Sequence, residues 1–234
     1  AKKFDGTNIV SIFINPAQFN EENDFTNYPK TFEADLDILE KTNCEIIFTP
    51  SVKEMYPRGA NPEKTVLKYR DILCDLSRPG HFDGVTTIVK ILLDLIKPSR
   101  VFFGEKDYQQ LKIIEQLILQ NSLNIDLIKC PSVRDLNGMS LSSRYVNFSQ
   151  NQQLQFEECA KIINTQFKIL KKIFNQETVQ SIEYELKNFG ISKIDYCEVR
   201  NEENLSLSKI NERSRLFIAF YLSKIRVIDN FILY

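Results

Sequence analysis

The chain has little of what metal-binding and disulfide-rich proteins require. A single histidine occurs among its 234 residues, which disfavours a zinc site because zinc is bound mainly by histidine and cysteine. The five cysteines are widely spaced and include no C-x-x-C pair: Cys44, Cys74, Cys130, Cys159 and Cys197. Without metal-ligand spacing, we expect them to be buried thiols that form no disulfides.

An excess of charge and long apolar runs are missing as well. With 30 basic and 31 acidic residues, a formal net charge of -1 and dispersed basic residues, the chain shows no electrostatic footprint for nucleic acid. Its longest apolar stretches, such as 91–93, are interrupted within a few residues by Lys90 or Asp94. There is no membrane-spanning or signal-peptide pattern. We therefore expect a soluble globular protein of one large domain or two modest ones.

Apolar residues in the first half of the chain alternate between strand-like and helix-like spacing. The predicted strands cover 8–14, 45–49, 101–103 and 125–128, and the predicted helices cover 31–41, 84–95 and 108–120. This alternation is typical of an α/β fold with a parallel sheet covered by helices. A polar loop follows each strand, and parallel strands would bring these loops to one rim of the sheet.

The second half of the chain has a different character. Two amphipathic helices are predicted at 151–174 and 178–189, followed by strands at 194–199, 216–222 and 226–228. Helices followed by successive short strands indicate a smaller α+β domain. We therefore expect a first domain over 1–132 and a C-terminal domain over 133–234.

The turn from Gly104 to Leu111 carries the strongest functional signal. It places Lys106, Asp107 and Gln110 where an apolar strand passes into a helix, which is where open α/β sheets bind ligands and where helix N-termini bind anions. A purely structural interpretation is also open: Asp107 and Gln110 fit a capping-box-like pattern, with Lys106 solvated.

Three other polar groups are candidates for ligand binding. Arg78, in the segment 77–84, suits phosphate or carboxylate, although Pro-Gly and Asp-Gly pairs alone explain a turn there. The loop 134–144 ends in two serines and an arginine, which suit a phosphate clamp or a serine-rich surface loop. Asn15 and Gln18 offer neutral amides to a hydroxyl- and carboxylate-bearing substrate, or are ordinary turn residues. Spacing alone indicates an α/β enzyme that binds an anionic, nucleotide-derived ligand.

Six segments resemble motifs of the pantothenate synthetase family, the pantoate–β-alanine ligases, in the family's order. They are SIFINPAQF (11–19), YPKTFEADL (28–36), PSVKEMYP (50–57), SRPGHFDGVTTIV (77–89), FFGEKDYQQL (102–111) and RDLNGMSLSSR (134–144). The resemblance runs from about Phe4 to the C-terminus and is strongest through Arg144.

The resemblance implies a cytoplasmic homodimer with a Rossmann-like nucleotidyltransferase domain, its parallel sheet having helices on both faces, and a smaller C-terminal lid domain. It implies that ATP and pantoate form pantoyl adenylate and pyrophosphate, with Mg²⁺ assisting. β-Alanine then displaces AMP to give pantothenate. Neither nucleic acid nor a membrane is an implied partner.

The resemblance also implies roles for individual residues. Lys106 and Arg144 match catalytic residues that neutralise phosphate charge. Gln18 and Gln110 match the pantoate-binding glutamines, and Gln18 also borders the β-alanine site. Asn15, in the same loop as Gln18, is a further candidate for the pantoate site because of its neutral amide. The ATP-contacting residues are matched by Gly104, Glu105, Lys106, Asp107, Val133, Leu141, Ser142, Ser143 and Arg144. No protein residue is assigned as a metal ligand. Asp35 is open to two interpretations, a carboxylate that helps hold magnesium or, as we favour, an ordinary helix-surface carboxylate.

The chain departs from the family pattern in two places. Tyr145, with Asn147 nearby, stands where the family has asparagine after Ser-Ser-Arg, so we expect a differently packed loop exit. The family's H-x-G-H signature precedes the first motif and is absent from this chain, in which His81 is the sole histidine. We therefore expect a first domain that is incomplete at its N-terminus, in a fragment or in a chain whose numbering begins inside a longer gene product.

Two alternatives stay open beside a pantoate–β-alanine ligase. The first alternative is a truncated, non-catalytic paralogue that binds ATP or pantoate. The second is another nucleotidyltransferase of the same fold with a different acceptor. The pair Gln18 and Gln110 favours pantoate over a different acceptor, because those other nucleotidyltransferases lack this pair of amides.

Overall fold

The computed structural model describes residues 1, 3–20, 25–26, 28–29, 31–208 and 212–233. Lys30, within the second of the six motif segments, lies outside the described residues. The strands are β1 (Ile9–Ser11), β2 (Ile46–Phe48), β3 (Arg100–Gly104), β4 (Asp126–Cys130), β5 (Ile194–Asn201), β6 (Ser214–Leu222) and β7 (Ile225–Ile232). The α-helices are α1 (Phe32–Glu40), α2 (Val52–Met55), α3 (Cys74–Ser77), α4 (His81–Ile96), α5 (Tyr108–Gln120), α6 (Gln150–Leu170) and α7 (Gln176–Asn188). Short 3₁₀ helices cover Pro16–Gln18, Glu105–Asp107 and Ser143–Asn147.

Every predicted helix and strand is present with shifted ends, and the short helices α2 and α3 are additional to those predicted. β1 stops at Ser11 rather than at residue 14, because the chain turns toward the 3₁₀ helix that begins at Pro16. α4 begins three residues earlier than predicted, directly after Gly80, whose positive φ of 80° suits glycine at a helix start. α6 begins at a capping box in which Ser149 and Gln152 each bond the other's backbone N–H.

Strand pairing confirms an α/β fold with a second, antiparallel part. β1 and β2 are parallel, with Ile9 opposite Ile46 and Ser11 opposite Phe48. β3 and β4 pair with each other, so the described residues carry these four strands as two two-stranded sheets. β5, β6 and β7 form an antiparallel three-stranded sheet in that order.

The chain divides into two compact units. The first unit comprises 1–68, 78–103 and 113–128, and the second comprises 69–77, 104–112 and 129–234. The second unit thus contains two segments, 69–77 and 104–112, from within the predicted first domain. The division at 132 and 133, with its assignment of domain roles, stays a prediction.

Each unit has its own apolar core. In the first unit, Met55, Tyr56 and Ile88 form a buried cluster against which Phe13, Ala17 and Phe48 pack. In the second unit, the core lies between α6, α7 and the antiparallel sheet, and its fully buried members include Phe156, Ile163, Ile182, Leu216 and Phe220. The Phe156 and Ile163 spacing places both on one face of α6.

The five cysteines lie in the described part of the chain and form no disulfide. Cys159 and Cys197 are buried as predicted, whereas Cys44, Cys74 and Cys130 are only partly buried. Burial raises the pKa of the Cys159 thiol to about 12. In the described residues, no helix combines the length and apolar character needed to cross a bilayer.

Candidate functional site

Asn15 is buried in the first unit and uses both ends of its side-chain amide. Its Oδ1 accepts hydrogen bonds from the Tyr56 hydroxyl at 2.7 Å and from the Ala17 N–H at 3.2 Å. Its Nδ2 donates to the Gly84 carbonyl at 3.0 Å and to Gln18 Oε1 at 3.3 Å. Asn15 therefore fixes the loop that carries Gln18, while its predicted contact with pantoate stays a prediction.

The same loop lies against α4 at Gly84. A Cβ atom added to Gly84 would come within 2.1 Å of the Ala17 carbonyl oxygen. Only glycine permits this approach without a backbone shift. The sequence pattern placed Gly84 at the start of the predicted helix, whereas α4 begins three residues earlier, so Gly84 lies inside it and sets the distance between the helix and the Gln18 loop.

Arg78 and His81 hold the backbone of Gln18. Arg78 Nη2 donates to the Gln18 carbonyl at 3.2 Å, and His81 Nδ1 lies 2.7 Å from the same oxygen. Since that oxygen only accepts, Nδ1 of His81 carries a proton. The second ring nitrogen lies 3.3 Å from Arg78 Nη1, so the imidazole is held between the Gln18 carbonyl and the Arg78 guanidinium.

The sequence pattern of the segment 77–84 fitted either a structural turn or an anion site. Through the contacts of Arg78 and His81 with Gln18, this segment supports the loop that carries Gln18. The available signal was the sole histidine, placed between two glycines and just before a helix.

A cavity of about 230 Å³ opens beside this loop within the first unit. Gln18, Asn20, Pro62, His81 and Asp83 contribute to its wall. Amide, imidazole and carboxylate groups thus face a space large enough for a small polar molecule. Gln18 is the predicted pantoate and β-alanine residue among them.

The turn 104–107 lies in the second unit and is held by Asn230. The Asn230 Nδ2 group donates to the carbonyl oxygens of Glu105 at 2.8 Å and Lys106 at 2.9 Å. Gly104 and Asp107 are exposed, and Lys106 is half-buried. The turn is therefore fixed through its backbone while these three residues keep exposed surface.

Arg215 supports the turn from the antiparallel sheet. Its guanidinium donates to Glu202 at 2.8 Å, to Asn230 Oδ1 at 2.8 Å and to Glu105 at 3.1 Å. It also lies over the Tyr108 ring, 4.0 Å from the ring centroid. Glu105, a predicted ATP contact, thus has a carboxylate that pairs with a buried guanidinium.

Two adjacent glutamines near this turn differ in their surroundings. Gln109 is buried, and its amide donates to the carbonyls of Tyr69 and Ile72 and accepts from the Cys74 N–H, each at 2.9 or 3.0 Å. Gln110 is only partly buried. The predicted pantoate residue is therefore the more accessible of the pair.

The loop 134–144 folds back on itself through hydrogen bonds to its own backbone and to β7. Arg134 donates to the Gly138 carbonyl at 2.8 Å and to Asp229 at 3.0 Å. The Ser140 N–H donates to the same carboxylate at 2.7 Å. The Leu141 N–H donates to the Val133 carbonyl at 2.9 Å, which joins two predicted ATP contacts directly.

The predicted phosphate clamp follows at the end of this loop. The Ser142 hydroxyl caps the 3₁₀ helix Ser143–Asn147 by accepting from the Arg144 N–H at 3.3 Å. Ser143 is exposed and Arg144 is half-buried. Ser142 therefore has a local structural partner, and its predicted ATP contact is untested.

Tyr145, at the exit of this loop, packs against the core of the second unit. Its ring stacks on Phe148 with centroids 5.1 Å apart and lies 4.6 Å from Phe156. Burial raises the pKa of its hydroxyl well above the usual range, and the carboxylate of Asp229 adds to this effect. The buried Tyr145 hydroxyl oxygen has no hydrogen-bond partner among the described residues.

The described residues contain no group of three or more histidine, cysteine, aspartate or glutamate side chains arranged to bind a metal. Among the described residues, no cluster of side chains would therefore coordinate a magnesium ion by itself. This arrangement is compatible with a magnesium ion whose main ligands are the phosphates of a bound nucleotide, which is how Mg²⁺ is commonly bound in nucleotide sites.

A family model for pantoate-beta-alanine ligase matches residues 1–232 of this chain. The chain belongs to the pantoate–β-alanine ligase family. Pantothenate synthetase of Acinetobacter baylyi is 39% identical, over 98% of this chain and 82% of the relative. Pantothenate synthetase of Caldicellulosiruptor bescii is 35% identical, over 99% of this chain and 83% of the relative.

Solved structures of the family confirm the fold class. Pantothenate synthetase from Thermus thermophilus superposes with a TM-score of 0.89 at 30% identity, covering 100% of this chain and 86% of that one. Pantoate-beta-alanine ligase from Francisella tularensis, complexed with beta-gamma ATP and beta-alanine, has a TM-score of 0.84 at 34% identity and covers 100% and 82%. The family assignment is thus shown, whereas the roles of individual residues stay predictions.

Proposed function

We propose that this protein condenses pantoate with β-alanine at the expense of ATP, giving pantothenate, AMP and pyrophosphate. The observation that carries the proposal is the family match over residues 1–232. The Francisella tularensis ligase, complexed with beta-gamma ATP and beta-alanine, supports ATP and β-alanine as substrates here. The enzyme class is that of a ligase forming a carbon–nitrogen bond.

We propose that the reaction proceeds through pantoyl adenylate. A carboxylate oxygen of pantoate attacks the α-phosphorus of ATP, and the bond from that phosphorus to pyrophosphate breaks. The step requires in-line positioning and neutralisation of phosphate charge. Lys106 and Arg144 are the cations assigned to this task, because Lys106 lies just before the start of α5 and Arg144 lies in the serine-rich loop.

In the second step, the uncharged amine of β-alanine attacks the acyl carbon of the adenylate. The carbon–oxygen bond to AMP breaks, and the amine loses a proton as the amide forms. Gln18 is assigned to both pantoate and β-alanine, and Gln110 to pantoate. Gln18 suits this position because Arg78 and His81 fix its backbone, while its side chain, which accepts a 3.3 Å hydrogen bond from Asn15, contributes to the cavity wall.

We propose that magnesium binds together with ATP, at its phosphates. When bound, it supplies charge neutralisation at the phosphates. This chain contributes Lys106 and the clamp residues Ser142, Ser143 and Arg144, which act on the phosphates directly. The protein is further proposed to be a cytoplasmic homodimer, in line with the resemblance seen in its sequence.

The test is pyrophosphate release measured on the full-length gene product with ATP and magnesium. We expect release to require D-pantoate and to continue with turnover when β-alanine is added. Lys106→Ala should suppress release while pantoate still binds. Binding of ATP and pantoate without any pyrophosphate, even at high protein concentration, would instead identify a non-catalytic paralogue.

A further inference from the structure

We propose that Asp229 and Asn230, consecutive residues of β7, are positioning residues that hold the phosphate-contacting turn and the serine-rich loop in register with each other. The turn is defined as residues 104–107 and the loop as 134–144. The proposal rests on the proposed function for its effect on the reaction, and on contacts within the second unit for its geometry.

Asn230 holds the turn. It is 2% exposed, and its two N–H groups reach two consecutive carbonyls, those of Glu105 and Lys106. Its Oδ1 accepts from Arg215, which also pairs with the Glu105 carboxylate. Both ends of the amide are therefore used. A side chain without the two donors would leave two carbonyls of the turn without these bonds.

Asp229 holds the loop. Its side chain is fully buried, and Oδ2 accepts from Arg134 at 3.0 Å and from the Ser140 N–H at 2.7 Å. Ser140 lies two residues before Ser142, so this bond fixes the backbone that leads into the clamp. Arg134 also donates to the Asn230 carbonyl at 2.6 Å. The loop is thus fixed to both residues of the pair.

Asp229, which holds the loop, and Asn230, which holds the turn, are therefore joined by a single peptide bond of β7. Neighbouring strand residues direct their side chains to opposite sides, which allows one strand to offer Asp229 to the loop and Asn230 to the turn. β7 is paired with β6 along its whole length, from Ile225 opposite Leu222 to Ile232 opposite Arg215. The strand is therefore a stiff connection.

This connection matters for catalysis because Lys106 and Arg144 are assigned to the same triphosphate. Catalytic groups misplaced by about 1 Å can lose about a hundredfold in rate. We therefore expect loss of the Asn230 amide to slow adenylate formation by about 10- to 100-fold. Pantoate affinity should change less than about twofold, since Gln18 is fixed by other contacts and Gln110 lies within α5, outside the turn.

The test compares Asn230→Leu with Gln166→Met. Both substitutions remove a buried amide of the second unit, but Gln166 bonds Glu185 and Ser181, away from the turn and the loop. In protein without ATP, Asn230→Leu should speed amide hydrogen exchange in the turn, and Gln166→Met should not. Unchanged exchange in the turn of Asn230→Leu would overturn the proposal, whether or not the protein is an active ligase.

A second measurement separates positioning from general destabilisation. In a Lys106→Ala background, Asn230→Leu should lower pantoate-dependent pyrophosphate release by less than about twofold further, since residues that act as one unit are not additive. If the rate reduction in the double variant equals the product of the two single-variant reductions, Asn230 does not act through Lys106 and the proposal is refuted. A wild-type protein that releases no pyrophosphate would refute the proposed function, and the exchange measurement would still decide the positioning role.

Discussion

The Tyr56 hydroxyl donates a 2.7 Å hydrogen bond to the side-chain oxygen of the buried Asn15. Asn15 in turn bonds Gly84 and Gln18 through its amide nitrogen. A tyrosine at the end of α2 therefore helps fix the orientation of the amide that holds the Gln18 loop.

Tyr56→Phe tests this relationship through stability. Asn15 Oδ1 would keep the Ala17 N–H but lose its stronger partner, so we expect a loss of about 0.5–1.5 kcal/mol in unfolding free energy. Urea titration measures it. Tyr184→Phe is the matched control, because Tyr184 is 67% exposed and should change stability little. Equal effects in both variants would contradict the role of the Tyr56 bond.

The pH dependence of stability provides a separate check on Tyr56. Burial raises the pKa of this phenol from 10.0 to about 12. The unfolded chain releases this proton first as pH rises, so the contribution of Tyr56 is present below pH 10 and is lost between pH 10 and 12. Tyr56→Phe should flatten the decline of stability in that window. An identical decline in both proteins would contradict a buried, protonated Tyr56.

Gln109 and Gln110 are adjacent but should respond differently to alanine. Gln109→Ala leaves two carbonyls and one N–H of the segment 69–74 without their bonds, so we expect a loss of about 1–3 kcal/mol in unfolding free energy. Gln110→Ala should leave stability nearly unchanged and weaken pantoate far more than ATP. Calorimetric titration and urea unfolding measure the two effects. Unaltered pantoate affinity in Gln110→Ala would refute its assignment.

The two glycines Gly84 and Gly104 make a second matched pair. Alanine improves helix propensity at an interior position such as residue 84 by about 1 kcal/mol, but its Cβ would lie 2.1 Å from the Ala17 carbonyl oxygen. We expect the steric clash to outweigh the gain in helix propensity, with a net loss of about 1–3 kcal/mol in unfolding free energy. Gly104→Ala meets no atom within 4 Å and should retain full stability. A stable Gly84→Ala protein would contradict the close approach of α4 to the loop.

Tyr145→Phe should not destabilise the protein. The hydroxyl is buried without a hydrogen-bond partner among the described residues, so its removal should be neutral or stabilising by up to about 1 kcal/mol, while the ring keeps its contacts with Phe148 and Phe156. Thermal unfolding measures the effect. A loss of more than about 1 kcal/mol would show that the hydroxyl has a partner in solution.

Local patterns predicted the helices and strands well because their signals lie within a few residues of one another. The spacing of Val85, Ile88 and Leu92 marks α4, and the run 100–103 marks β3. Pairing between strands was harder to predict, since it joins segments distant in the chain. The pattern implied one sheet, whereas the described strands pair as β1 with β2 and β3 with β4.

The candidate site shows the same limit. Motif residues such as Lys106 and Gln110 were found because each belongs to a short segment with family character. Asp229 and Asn230 carry no such signal, since Asn230 lies 124 residues from Lys106 in the chain. The supporting role of His81 was missed for a related reason. Its partner is the backbone carbonyl of Gln18, 63 residues away, and because every residue has a backbone carbonyl, the sequence does not show which one is bonded.

The most direct test of the ligase mechanism uses D-pantoate labelled with ¹⁸O in its carboxylate, together with ATP, magnesium and β-alanine. A carboxylate oxygen that attacks the α-phosphorus becomes the bridging oxygen of the adenylate and leaves with AMP. Mass spectrometry of the full-length protein's products should therefore show AMP carrying one ¹⁸O atom for each pantothenate formed. Unlabelled AMP, or label in inorganic phosphate formed with ADP, would contradict the account.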